Sequence, residues 1–224
     1  MEADERIQHA IEHTEVLRVP TQSLATFGTT NIYYYLVTEL AQWVNVVREG
    51  RVIAAKPKIV TPSYLINLEG FSLQAKRFIE LMAERDPHEP GIFYTYKNEA
   101  REMNVVSESV GAIVDKINRR IDNQRDPLTA IIKGVEGLWD VSLLKFTYEL
   151  TRSSMQSNVA ELERHGLLHV DSAGVPRDAR NHIEELFEKT KRDPSWAPEL
   201  ITELRRWSLF HEYQDRFLGL FKKR

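Results

Sequence analysis

Apolar positions recur at spacings of three and four along most of this chain, and β-favouring residues cluster only near its front. Ile7, Ala10, Ile11 and Leu17 form an imperfect stripe that predicts a first helix within residues 2–17, ended by Val19 and Pro20. From Thr21 the character changes. Leu24, Phe27, Ile32, Tyr33, Tyr34, Tyr35, Leu36 and Val37 favour strands, and Gly28 breaks the run. Residues 43–48 and 51–55 flank the pair Glu49 and Gly50, which reads as a hairpin turn. Residues 58–61 read as a further short strand. Residues 21–62 are therefore expected to form a small antiparallel sheet, with one more strand at 92–96.

Residues 72–85 predict a helix with Leu73, Ala75, Phe78, Ile79 and Met82 inward, followed by a loop at 86–91. Residues 105–121 predict a strong amphipathic helix, because Val106, Val110, Ile113, Val114, Ile117 and Ile121 share one face. That stripe is either core within the chain or the seam of a homodimer. Asp126 and Pro127 are expected to open another helix, with proline in its first turn. Further helices are expected at 141–150, 152–165 and 179–191. Asp193 and Pro194 break the chain, and a last helix runs from about 199 towards 221 with an interruption. The class that follows is α+β. Residues 1–125 make an α+β domain with a small antiparallel sheet, and residues 126–224 a mostly helical one.

Composition narrows the chemistry. Hydrophobic residues make up 42% of the 224 and charged residues 28%, enough for a real core. The net charge is -3, so any grip on nucleic acid must come from a local patch. There is no cysteine, which removes disulfides, thiolate catalysis and cysteine-based zinc sites. The opening residues lack the pattern of a signal peptide, and no apolar run approaches the roughly 18 residues of a membrane span. The cytoplasm is the expected compartment.

One segment carries a pattern. In residues 144–168, Leu144, Tyr148 and Leu150 suit a first helix, and Thr151 suits the cap of a second. Met155, Val159 and Leu162 give that second helix an inner stripe. Gly166 is placed to stop it in a left-handed conformation, and Leu167 and Leu168 follow. The segment resembles the winged helix-turn-helix superfamily of bacterial regulators, with residues 169–177 as the wing and residues 171–174 as its turn. Glu149 departs from the small residue usual before the turn. The resemblance covers residues 127–192 and implies a regulator that binds double-stranded DNA. It puts Arg152, Ser153, Ser154, Gln156 and Ser157 against the major groove and Lys145, Arg177 and Arg180 on the backbone. Between 140 and 180 there are five Lys or Arg against six Asp or Glu, which weakens the attraction to phosphate. Two alternatives stay open. One is a protein-interaction adaptor that uses the winged unit as a scaffold, the other an enzyme with a site between the two domains.

Other motifs read more plainly. His9, Glu12 and His13 match the spelling of one metalloprotease class but read as a solvated helix, so neither metal nor cofactor is expected. Tyr33, Tyr34 and Tyr35, with Tyr94 and Tyr96, could stack bases on a sheet, although strand packing alone accounts for them. The tail from Trp207 to Arg224 mixes large apolar residues with terminal cations. It suits a membrane surface or a partner, or packing on the helical half.

Overall fold

The structure is a computed structural model that describes residues 3–69, 72–85 and 88–221. It is mixed α+β and divides into two units that are discontinuous in sequence. One unit is Met1–Pro57 with Tyr94–Asn158, and the other is Lys58–Phe93 with Val159–Arg224. The expected division at residue 125 falls inside the first unit. No helix among the described residues is long and apolar enough to cross a membrane.

The first unit is built on five strands: β1 (Glu15–Arg18), β2 (Thr30–Ala41), β3 (Val44–Ala54), β6 (Tyr96–Val106) and β7 (Thr129–Gly134). Helix α1 (Ala3–Glu12) precedes β1. Their order in the sheet is β1-β7-β2-β3-β6. The sheet is mixed rather than antiparallel, because β7 runs parallel to β2 and places Thr129 opposite Tyr33. Alternation along β2 sends Ile32, Tyr34 and Leu36 to one face and Tyr33, Tyr35 and Val37 to the other. On the first face Tyr34, Leu36, Val52 and Ile132 pack with Leu143 and Phe146 of α5 (Trp139–Arg164). On the second, Val37, Val47 and Ile131 pack with Ile113, Ile117 and Ile121 of α4 (Val110–Gln124). Ala130, Ile131 and Ile132 are all fully buried, as a central strand covered on both faces requires.

Four expectations are corrected here. Glu49 and Gly50 do not form a turn; β3 runs straight through them, and the hairpin closes at Trp43, whose φ is 63°. Gly50 lies opposite Tyr34, and the Tyr34 ring occupies the space a side chain there would need. Residues 96–106 are strand, so the expected helix does not start at 105. Their charges suit an exposed edge strand, and α4 begins only at Val110, where Ser109 Oγ accepts from the Ala112 N–H at 3.3 Å. Asp126 and Pro127 open β7 instead of a helix: Asp126 Oδ1 accepts from the Leu128 N–H in a local turn, and the strand starts at Thr129. Finally, the stripe of the expected 105–121 helix is consumed by the sheet, so it offers no homodimer seam.

The second unit holds β4 (Lys58–Val60), α2 (Pro62–Ile66), α3 (Leu73–Arg85) and β5 (Gly91–Phe93). It also holds α6 (Arg177–Arg192), α7 (Ala197–Arg206) and α8 (Phe210–Gly219). Strands β4 and β5 pair only with each other and do not extend the larger sheet. Ala179, Ile183, Leu186 and Phe187 give α6 its buried face, which packs with Leu200 and Leu204 of α7 and with Trp207 and Phe217. The tail residues Trp207 and Phe217 are therefore core, and the break between α7 and α8 centres on Ser208 at φ 58°. The tail's last residues, 222–224, lie outside the described residues, as do residue 2 of the first helix and Asp86 and Pro87 of the expected loop. Leu73 and Phe78, expected inward on α3, are exposed. A helical stripe shows that one face is apolar, not that the chain folds anything onto it. The Ala75 and Met82 side chains lie outside the described set.

Helix α5 ends as the sequence predicts. Gly166 has φ 64°, its N–H donates to the Glu163 carbonyl at 2.8 Å, and the Leu167 N–H donates to the Leu162 carbonyl at 3.0 Å. Gly166→Ala is expected to cost about 1–2 kcal/mol, because a Cβ disfavours the left-handed region. Urea unfolding of the variant checks this, and wild-type stability would remove Gly166 as the stop.

Candidate ligand-binding site

The helix-turn-helix geometry is not present at 144–168. Helix α5 is one continuous helix of 26 residues. Phe146, Thr147, Ser154, Asn158 and Leu162 are buried along it on both sides of Thr151, and a turn there would break that stripe. Thr151 does not cap anything: its Oγ1 donates to the Thr147 carbonyl one turn back at 2.7 Å and also bonds the Tyr96 hydroxyl. The segment expected as a wing is a short hairpin, with a bridge between Val170 and Pro176 and Asp171 Oδ1 accepting from the Ala173 and Val175 N–H groups.

Three of the eight expected DNA contacts are committed to holding the fold. Ser154 is fully buried and accepts from the Leu24 N–H at 3.0 Å. Lys145 Nζ donates to the Ile11 and Thr14 carbonyls at 2.9 Å each. Arg180 is held by Asp171, Glu212 and Tyr213. Arg152, Ser153, Gln156 and Ser157 are exposed on α5, although the two serine hydroxyls donate to helix carbonyls. Arg177 is exposed and belongs to the second unit.

A concave site forms instead on the α4 face of the sheet, where the last turn of α4 leaves the strands uncovered. Its floor is Tyr33 and Tyr35 of β2, Glu49 of β3 and Thr129 of β7, and its walls are Arg101, Arg120, Gln124 and Asp126. The cavity measures about 670 Å³, within the range of small-molecule sites. Two smaller clefts adjoin it across Asp126. Sequence patterning shows why the tyrosines are there: β2 alternates, so Tyr33 and Tyr35 share a face while Tyr34 turns into the core on the other side. Arg101 reaches the same face through a bulge. Glu102 is opposite Glu49 and Ala100 opposite Gly50, leaving Arg101 as the extra residue.

The electrostatics are uneven. Arg120 donates to the Tyr35 hydroxyl at 3.1 Å and to Glu49 at 3.3 Å, and Tyr35 first, then Glu49, raise its pKa further. Arg51 pairs with Glu99 at 2.6 Å, which raises the arginine. Lys97 and then Arg51 hold the Glu99 carboxyl below its ordinary range. Arg101 differs from both arginines. Its guanidinium lies 5.2 Å from the centre of the Tyr33 ring, and among the described residues no carboxylate is paired with it. The site therefore offers one uncompensated cation stacked on an aromatic ring, with amide, carboxylate and hydroxyl groups around it.

The other motifs do not build sites. His9 and His13 are exposed with ring centres 3.8 Å apart, and among the described residues no group of three or more His, Asp or Glu is placed to hold a metal ion. Tyr94 and Tyr96 stack at 6.2 Å against the opposite face of the sheet, where Asn158 donates to the Tyr94 hydroxyl. The sequence clue to the cavity was the tyrosine triplet in an alternating strand. Arg101 and Arg120 had no local signal, because a bulge and a helix end bring them to it. No family model matches the chain, nor does any curated protein or solved structure.

Proposed function

We propose that the first unit binds a small ligand that carries a planar ring and an anionic group, with nucleotides as the chemical class. The observation that supports this is Arg101 over Tyr33 at the wall of the cavity. A ring can stack on Tyr33 or on the guanidinium plane, and the unopposed charge attracts a phosphate. Gln124 and Glu49 supply the donors and acceptors that ring nitrogens need. Titration calorimetry with adenosine and guanosine mono-, di- and triphosphates tests the reading. Arg101→Ala is expected to weaken binding at least about tenfold, the scale of one charge-assisted contact. Absence of heat from the wild type with every nucleotide up to about 1 mM, a Kd worth only about 4 kcal/mol, would sink it.

The regulator reading has weaker support. It rests on Arg152, Ser153, Gln156 and Ser157, without the turn, and with Lys145 and Arg180 already engaged.

A further inference from the structure

We infer that the cavity on the α4 face takes two nucleotides joined by a phosphodiester, with the linking phosphate at Arg101 and one base to either side of it. This rests on the nucleotide reading and narrows it. Asn31, Tyr33 and Tyr35 alternate along β2 and share one face of the sheet, a row about 13 Å long. Tyr35 lines the cavity of about 670 Å³, Asn31 lines a second cavity of about 350 Å³, and Tyr33 lines both. The two cavities meet at Tyr33 and Asp126 and follow the same strand.

The charges along the row set where each part of the ligand goes. At its middle, Arg101 lies over the Tyr33 ring at 5.2 Å. Among the described residues that line the two cavities, it is the one cation without a carboxylate partner. At one end, Arg120 donates to the Tyr35 hydroxyl and is neutralised by Glu49, so Tyr35 offers a ring without net charge. A neutral tyrosine of this kind stacks a base. At the other end, no lysine or arginine lines the second cavity, and Gln22, Ser23, Thr29 and Asn31 supply amides and hydroxyls. The Asn31 side-chain amide has no hydrogen-bond partner among the described residues and is free to pair with a base edge. Asp126 borders the row from the β7 side, and its Oδ1 accepts from the Leu128 N–H. Its other oxygen suits a ribose hydroxyl and repels phosphate, which Arg101 draws towards the β6 side. One free cation between two neutral ends matches the single charge of a diester. A terminal triphosphate would bring several charges to that same cation.

Titration calorimetry on the full chain compares the dinucleoside monophosphates ApA, CpC, GpG and UpU with the corresponding mononucleotides. At least one of them should bind at least about tenfold more tightly than its mononucleotide, although it carries less charge. Arg101→Ala should weaken both classes. Asn31→Ala and Tyr35→Leu should each weaken the dinucleoside monophosphate at least about fivefold, the loss of one base contact. Circular dichroism checks that the variants fold, and the wild-type comparison needs no variant. Mononucleotides that bind as tightly as every dinucleoside monophosphate overturn the inference and leave the nucleotide reading standing. Silence from both classes overturns the two together. A tighter dinucleoside monophosphate that is indifferent to both Asn31→Ala and Tyr35→Leu also overturns the inference, because the two ends would not hold the bases. A single strand of about eight residues of the preferred base separates two sources of this chemistry. Binding no tighter per step than the dinucleoside monophosphate marks a free dinucleotide, and tighter binding marks a strand that runs on past the cavities. Either result upholds the two-base site.

Discussion

Glu203→Ala is expected to lower the unfolding free energy of the protein by about 3–5 kcal/mol, the cost of breaking one partner out of a buried charged cluster. Glu203 is buried on α7 within the core of the second unit. Its Oε1 accepts from the Trp207 indole N–H at 3.2 Å, and its Oε2 accepts from the Tyr64 hydroxyl at 3.3 Å. Lys58 and Arg206 approach Oε2 at 3.9 and 3.8 Å. Truncation leaves two buried donors without an acceptor and two cations without their counter-charge. The arrangement also marks its neighbours. Burial first and the Glu203 charge second push the Tyr64 hydroxyl up to about 12. Burial first and Lys58 second hold His182 below the ordinary histidine range. Glu203→Gln keeps an acceptor but loses the charge, so it should fall between wild type and Glu203→Ala. Urea unfolding followed by tryptophan emission measures both. If both variants unfold like the wild type, the carboxylate is dispensable and the cluster does not hold α7 to α2.

Gly50→Ala is expected to lower Tm by about 3–10 °C, which corresponds to about 1–3 kcal/mol of overpacking. A Cβ at Gly50 would strike the hydroxyl end of the Tyr34 ring and come within 2.8 Å of the Glu99 carbonyl oxygen. Neither can yield cheaply. Tyr34 is fully buried and donates to Asn98 at 3.1 Å, and Glu99 lies on the paired strand β6. Gly50 also lines the cavity at the bulge that presents Arg101, so the variant should bind nucleotide more weakly as well. Removing the clashing hydroxyl with Tyr34→Phe in the same chain should recover part of the loss. A Gly50→Ala protein that melts with the wild type would show that the ring is free to move aside.

Much of the second unit was legible because its signals are local. The stripe Ala179, Ile183, Leu186 and Phe187 predicts α6 whatever it packs against. Gly166, Pro194 and the break before α8 are punctuation that acts on the residues beside them. Strands were harder. Tyr96–Val106 is an edge strand whose charges hide it, and Thr129–Gly134 is six residues long, too short to show a period. The serines, threonines and glutamate around Thr151 read as a turn. In the structure Thr147, Thr151 and Ser154 each donate to the carbonyl four residues back, and the helix continues.

The mixed class, the amphipathic helices, the left-handed stop at Gly166 and the strand that carries the tyrosine triplet were all readable along the chain. Each of these follows from residues within a few positions of one another. It took the folded chain to show that β7 lies parallel to β2, that the 105–121 stripe is core, that α5 does not turn, and that Arg101 and Arg120 reach the tyrosines. Those outcomes depend on strand register, on a bulge and on which face another element covers. Their free energies come from pairings between residues such as Tyr33 and Thr129, far apart in the chain, and no local window contains both partners.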